Sequence, residues 1–264
     1  MEALKQLSPA ETYLIRYHNR AILKDLMKYT LADLCYRSVL RIEEREHQPH
    51  PSDPVQVTKY VVAGEQLSTC RPKAHEAVFL SPFQEQADLE ITIKQLVKIA
   101  YQSVRSRKRF IFDFLFQQDL IKTKFKQGFW PRFLGSTTLT ASGRNYRSQI
   151  DGMLRQLERE LPDMMVHDKT RAKEILATIG GNVLLITTLD FQLLKDFDQA
   201  LKKKLDTASN DGDWWLLDSF WIGGDDGGDF DSAFDGASGG DAGDSGDSGC
   251  SGCSGCGGCG GCGG

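Results

Sequence analysis

The chain has 264 residues and a formal net charge of −4, from 32 Lys and Arg against 36 Asp and Glu. That average conceals a division: residues 206–264 hold 12 acidic residues and no Lys or Arg, which leaves residues 1–205 with 32 basic against 24 acidic, a net +8. The same 59 residues hold 19 of the 26 glycines and five of the seven cysteines, so one uniform globular domain is excluded, and so is a disulfide-stapled miniprotein.

In chain order, Ser8-Pro9-Ala10-Glu11 reads as a capping box with proline at the first helical position, the Ser8 hydroxyl and the Glu11 carboxylate each serving the other's backbone N–H. The helix it opens is predicted to run to about residue 17. Asn19 is a candidate cap for a second helix burying Ile22, Leu23, Leu26 and Met27. Thr30-Leu31-Ala32-Asp33 repeats the capping pattern and predicts a third short helix with Leu31, Leu34 and Cys35 inward. Two runs of period-two alternation follow, residues 39–43 and 55–61, separated by the polar, proline-containing stretch 47–54; they predict a hairpin. Three short helices followed by a hairpin is the winged-helix order.

The order recurs. Residues 74–80 and 91–99 read as helices, the second with Ile91, Ile93, Leu96, Val97 and Ala100 apolar. A third, 103–117, ends in Phe110-Ile111-Phe112 and Phe114-Leu115-Phe116. Residues 120–125 read as a strand, and a loop with Gly128, Trp130, Pro131 and Gly135 leads to a second strand, 136–140. Thr140-Ala141-Ser142-Gly143-Arg144 closes this wing and opens a long helix to about residue 161, with Ile150, Met153, Leu154, Leu157 and Leu161 at helical spacing. Two further helices, 169–179 and 187–205, flank Gly180-Gly181. The predicted fold class is therefore α+β: winged-helix-like units at 1–70 and 71–165, a helical pair at 166–205, and a disordered tail at 206–264. A single irregular α+β domain without duplication is the alternative.

Three features taken together resemble a known group. They are Leu7-Ser8-Pro9-Ala10-Glu11; Thr30-Leu31-Ala32-Asp33-Leu34 running on through Val39-Leu40-Arg41-Ile42-Glu43-Glu44; and Thr140-Ala141-Ser142-Gly143-Arg144 with the Gly/Cys-rich end. They resemble a bacterial family of unknown function called near-uncomplex for its low-complexity ends. The first two also resemble the winged-helix-like cytoplasmic part of related predicted membrane proteins. Many members of the family place membrane helices before the Thr-x-x-Gly-Arg phrase, whereas residues 125–136 here are short and polar-aromatic, so the resemblance does not imply membrane residence. The resemblance implies no catalytic residues. No run in this sequence approaches the ~18 apolar residues of a membrane helix, and the N-terminus lacks a signal-peptide apolar core. The expectation is a cytoplasmic protein with no transmembrane segment.

The tail is the most unusual feature. From Gly240 to Gly264 every third residue is glycine, and Cys250, Cys253, Cys256, Cys259 and Cys262 form overlapping Cys-x-x-Cys pairs. Without proline the Gly-X-Y period does not make collagen. With no large apolar side chain after Phe234, burial cannot offset an ordering cost of about 1–2 kcal/mol per residue. No cofactor is required by the sequence; the thiolates are candidate ligands for a soft ion, Zn²⁺ or Cu(I), against slippage-generated low complexity. Gly-Cys-Gly-Gly-Cys runs also resemble precursors of thiazole-modified peptides, for which a 205-residue leader is far too large. Where body meets tail, Trp214, Trp215, Leu217 and Trp221 form an aromatic segment. The acids around it argue against a membrane interface and for docking, on the chain's own core or on a protein partner.

Arg105, Arg107, Lys108 and Arg109 begin the helix that a winged-helix protein lays in the major groove, and Lys122 and Lys124 lie in its wing. They are the candidate nucleic-acid contacts. Motifs for enzymatic chemistry are missing: there is no phosphate loop around Gly180-Gly181, no second histidine after His75-Glu76 and no Gly-x-Ser-x-Gly elbow. The sequence therefore reads as a non-enzymatic interaction or assembly module with an unidentified protein partner and a thiol-bearing tail. A DNA-binding regulator and a soft-metal or redox element are the alternatives.

Overall fold

The computed structural model describes residues 1–47, 56–86, 88–126, 135–186 and 228–238. Helix α1 (Glu2–Lys5) leads to α2 (Pro9–Tyr17), whose start is the predicted capping box: Ser8 Oγ accepts from the Glu11 N–H and the Ser8 N–H donates to Glu11 Oε2 at 2.7 Å. Helix α3 is one unbroken element, Leu23–Tyr36, not two. The predicted break fails because the Thr30 hydroxyl donates to the Leu26 carbonyl one turn back at 2.8 Å, an outlet open to threonine inside a helix. Asn19 caps nothing; its Oδ1 accepts from the Thr137 N–H at 2.7 Å and lies 3.1 Å from the Thr137 hydroxyl.

The hairpin forms where alternation predicts it and is longer: β1 (Leu40–His47) pairs antiparallel with β2 (Gln56–Ala63), from Leu40 opposite Ala63 to His47 opposite Gln56. After α4 (Ala74–Glu85), the two-residue β3 (Ile91–Thr92) adds to the other edge of β2, giving the order β1-β2-β3. Thr92 then caps α5 (Ile93–Val104) through a reciprocal pair with Gln95. Ile93, Leu96, Val97, Ala100 and Val104 of α5 are buried, the i, i+3, i+4, i+7 stripe of an amphipathic helix.

The predicted helix over 103–117 is broken. Arg105 takes a left-handed conformation (φ 61°) that ends α5. Ser106 then caps the turn α6 (Arg107–Arg109), which widens into a π turn, Phe110–Phe114, and tightens into a 3-10 turn, Leu115–Gln117. Six apolar residues in seven are too many for one stripe of a regular helix. Changing the helical pitch buries Phe110, Ile111, Leu115 and Phe116 together, the use to which π bulges are commonly put.

The strand predicted over 120–125 is instead the helical turn α7 (Asp119–Lys122), followed by a single bridge from Phe125 to Leu139. Ile121 and Phe125 are the buried pair, four apart, and that spacing prevails over the alternation of Lys122 and Lys124. Thr140 caps α8 (Ala141–His167): its Oγ accepts from the Gly143 N–H at 3.0 Å and donates to the Lys124 carbonyl at 3.1 Å. A Cβ on Gly143 would stand 2.1 Å from the Lys124 oxygen, so the phrase Thr140-Ala141-Ser142-Gly143 fastens α8 to the preceding segment through glycine's missing side chain.

Asp168 caps α9 (Lys169–Ile179), and Gly180, at φ 54°, ends it where the sequence predicts a break. A 3-10 stretch, Gly180–Leu185, follows. In it the buried Asn182 amide donates to the Leu4 and Leu7 carbonyls at 2.8 and 2.7 Å, tying the end of the body to its beginning. The helix predicted over 187–205 lies outside the described residues. One buried apolar cluster runs from Leu4 to Phe234 through the units predicted at 1–70 and 71–165 alike. The fold is a helix-rich α+β arrangement around a small antiparallel sheet. Among the described residues no helix is long and apolar enough to cross a membrane.

Within the tail predicted to be disordered, residues 228–238 form an eleven-residue helix, α10 (Gly228–Ser238), packed along α5 and touching α3. The prediction weighed the glycines and aspartates and gave no weight to Phe230, Ala233 and Phe234. These fall at i, i+3 and i+4, one side of a helix, and all three are buried.

Candidate functional site

Two places gather side chains whose chemistry exceeds what the core needs. The first is the face that receives α10. Phe230 is 0 % and Phe234 8 % exposed; their rings stack with centroids 6.2 Å apart. The Phe234 ring meets Tyr101 of α5 edge-on at 5.4 Å, a favoured aromatic geometry. On the α3 side the half-buried Lys24 places Nζ 3.4 Å from Oδ1 of the exposed Asp235, a pair with one partner in solvent that sets orientation more than it adds stability. The face thus offers an apolar seat with a tyrosine and a lysine at its margin. Its occupant is an acidic helix with phenylalanines four residues apart.

The second is a buried ionic junction where the starts of α2 and α4 meet α3. Glu11, with no exposed surface, holds the Lys73 ammonium on Oε2 at 2.6 Å together with the Ser8 N–H. Arg37 spans two carboxylates, Asp33 at 3.1 Å and Glu76 at 2.8 Å. Glu76 also accepts from the Lys73 N–H at 2.9 Å. Burial, opposed by the Arg37 charge and reinforced by Glu76, pushes the Asp33 carboxyl up to about 6. Burial, with the charges of Lys73 and Arg37, pulls His75 down to about 3, so its imidazole is neutral at pH 7. A Cβ on Gly181 would fall 1.9 Å from Asp33 Oδ1; the 3-10 stretch after α9 closes over the junction.

His75 Nε2 lies 3.1 Å from Ser8 Oγ, the contact with which a nucleophile–base pair begins. Among the described residues the remaining parts are missing. Ser8 and His75 are 6 % and 1 % exposed, Ser8 Oγ is engaged by the Glu11 N–H, and His75 Nδ1 has no hydrogen-bond partner to orient the ring. The arrangement joins three chain segments and gives a substrate no approach. Among the described residues no group of three His, Cys, Asp or Glu is placed to hold a metal ion.

Of the basic residues predicted as a nucleic-acid face, Arg105, Lys108, Arg109 and Lys122 are exposed and Arg107 and Lys124 are partly covered. Arg107 turns inward: its guanidinium donates to the Ala21 carbonyl, to His18 O at 2.7 Å, to Thr137 Oγ1 at 3.0 Å and to Gly135 O at 3.2 Å. It ties the end of α2 to the segment before α8. Lys124 lies over the Tyr146 ring, 4.7 Å from its centroid, at the start of α8. Arg109 sits 3.9 Å from Asp113. Cys250, Cys253, Cys256, Cys259 and Cys262, and Trp214, Trp215, Leu217 and Trp221, lie outside the described residues. Cys35 and Cys70 are free thiols, and burial pushes Cys35 up to about 12, as for a small buried hydrophobe.

Sequence reasoning missed both places. The signal for α10 was the i, i+3, i+4 spacing of Phe230, Ala233 and Phe234. The signal for the junction was a pair of acids, Glu11 and Glu76, each three residues into a helix, with Asp33 between them in sequence. No family model, curated protein or solved structure matches the chain.

Proposed function

We propose that this chain is a non-enzymatic interaction module whose recognition face, on α5 and the start of α3, takes a short acidic helix bearing aromatic residues four positions apart. The observation that carries the proposal is α10 itself. A segment of glycine, aspartate and serine holds its place by two buried phenylalanines, the helix-in-groove mode with i and i+4 anchors. Its own sequence has little helix propensity, so the face supplies the reason for the helix. The proposal retains a winged-helix-like character for the first 70 residues, which α2, α3 and the hairpin support, and kinship with the Gly/Cys-tailed bacterial family. The free thiols support a reducing, cytoplasmic location. A DNA-binding role draws less support, because Arg107 is committed to backbone carbonyls and Arg109 shares its turn with Asp113.

The test uses the full chain with Phe230→Asp and Phe234→Asp, which vacates the face. A fluorescent peptide of residues 228–238 should bind this variant and be excluded from the unaltered chain, whose own helix competes at an effective concentration on the order of millimolar. A folded double variant that ignores the peptide would overturn the proposal.

A further inference from the structure

We propose that the face on α5 also accepts Gly228–Ser238 from a second copy of this chain, so that two copies can exchange helices reciprocally. The inference rests on the recognition reading above and names its partner. Each copy carries both halves of the contact, the seat around Tyr101 and Lys24 and the helix with Phe230, Phe234 and Asp235. Residues 187–227 connect them, and 41 residues reach at most about 140 Å when extended. A body of some 190 residues has a radius of gyration of about 16 Å. The covalent connection therefore does not dictate which body receives the helix.

Charge favours the second body as much as the first. Residues 1–205 carry +8 and residues 206–264 carry −12, so the acidic end of one chain is drawn to the basic body of another. Reciprocal exchange satisfies both seats at once and closes with two-fold symmetry, leaving no open contact to propagate into a fibre. It forms no contact that the single chain lacks. At micromolar concentration the intramolecular arrangement prevails, and the exchanged pair becomes dominant only when each copy's own contact is impaired.

That condition sets the experiment. One full-length copy carries Phe230→Asp and Phe234→Asp and keeps its seat; the other carries Tyr101→Asp and keeps its helix. Each alone should be monomeric in sedimentation, and an equimolar mixture should yield a 1:1 complex. A second pair of variants reverses the Lys24–Asp235 ion pair. Lys24→Asp in one copy and Asp235→Lys in the other make both intramolecular contacts repulsive and both exchanged contacts attractive, so the mixture should be enriched several-fold in heterodimer over either copy alone. Mixtures that stay monomeric, while the peptide of residues 228–238 still binds the double phenylalanine variant, would overturn exchange and leave the recognition reading standing. Failure of the peptide as well would remove both.

Discussion

Two buried groups of the junction titrate in opposite senses, and replacing either one exposes the other. His75, lowered from 6.5 to about 3, stays neutral in the folded chain while the unfolded chain takes up a proton below pH 6.5. Its contribution to stability is complete above that pH and is lost as pH falls toward 3. Asp33, raised from 3.8 to about 6, is protonated in the folded chain before the unfolded one. The folded state therefore gains stability as pH falls from about 6 to 3.8 and loses it as pH rises through 6. Each group changes stability by about 1.4 kcal/mol per pH unit inside its window, and between pH 6 and 3.8 the two slopes cancel. His75→Gln leaves the Asp33 slope alone, and that variant should gain about 3 kcal/mol relative to the unaltered chain across this interval. Asp33→Asn leaves the His75 slope and should lose about as much. The assay is the urea midpoint and slope at half-unit steps from pH 7 to 4, read as variant minus unaltered chain. Carboxylates elsewhere then drop out of the difference. Parallel stability curves for the three proteins would refute the reasoning, as would both variants moving in one direction.

Other outcomes follow from single contacts. Gly181→Ala, which drives a Cβ to 1.9 Å from Asp33 Oδ1, should lower the midpoint of thermal unfolding by many degrees. Gly152→Ala, within α8 and with nothing inside 4 Å of the added carbon, should stabilise by about 0.5–1 kcal/mol. Arg107→Met removes the side-chain donor from the carbonyls of Ala21 and Gly135, leaves that of His18 with the Ala21 N–H alone, and should cost about 2–4 kcal/mol in denaturant titration. Arg105→Gly at the left-handed end of α5 should instead stabilise by up to about 1 kcal/mol. Phe230→Ala should remove hydrogen-exchange protection from residues 228–238 and leave that of α3 unchanged, whereas Phe79→Ala, in the core, should cost about 3–5 kcal/mol throughout.

What could be read from the sequence was local. The Ser8–Glu11 box, the alternation of β1 and β2, the stripe of Ile150, Leu154, Leu157 and Leu161, and the break at Gly180 each depend on residues within a few positions of one another, and each is present. The dense run from Phe110 to Phe116 signalled burial without signalling the change of pitch that achieves it. The tail misled because its composition was averaged: twelve acids and nineteen glycines outweighed three residues at helical spacing that found a seat on α5.

Thr30 shows most clearly why local chemistry underdetermines the fold. Thr30-Leu31-Ala32-Asp33 has the residues of a capping box, and a box would have begun a new helix there. Both side chains are instead claimed from elsewhere. The hydroxyl goes to Leu26 one turn earlier, and the carboxylate of Asp33 goes to Arg37 one turn later. Arg37 in turn is held by Glu76 at the start of α4, about forty residues downstream. Glu11 and Glu76 each hold a cation and the N–H of their own cap residue together, whereas at Asp33 a cation competes for the acid. Here the competitor belongs to a junction that draws together Ser8, Asp33, Lys73 and His75, and Gly181 closes over it. Two of the three segments on which the family resemblance rests, around Ser8–Glu11 and Thr30–Asp33, converge on this one junction. Their residues are explained by what they hold together. The same logic directs the search for function outward, to the proposed recognition face of α5 beneath Phe230 and Phe234.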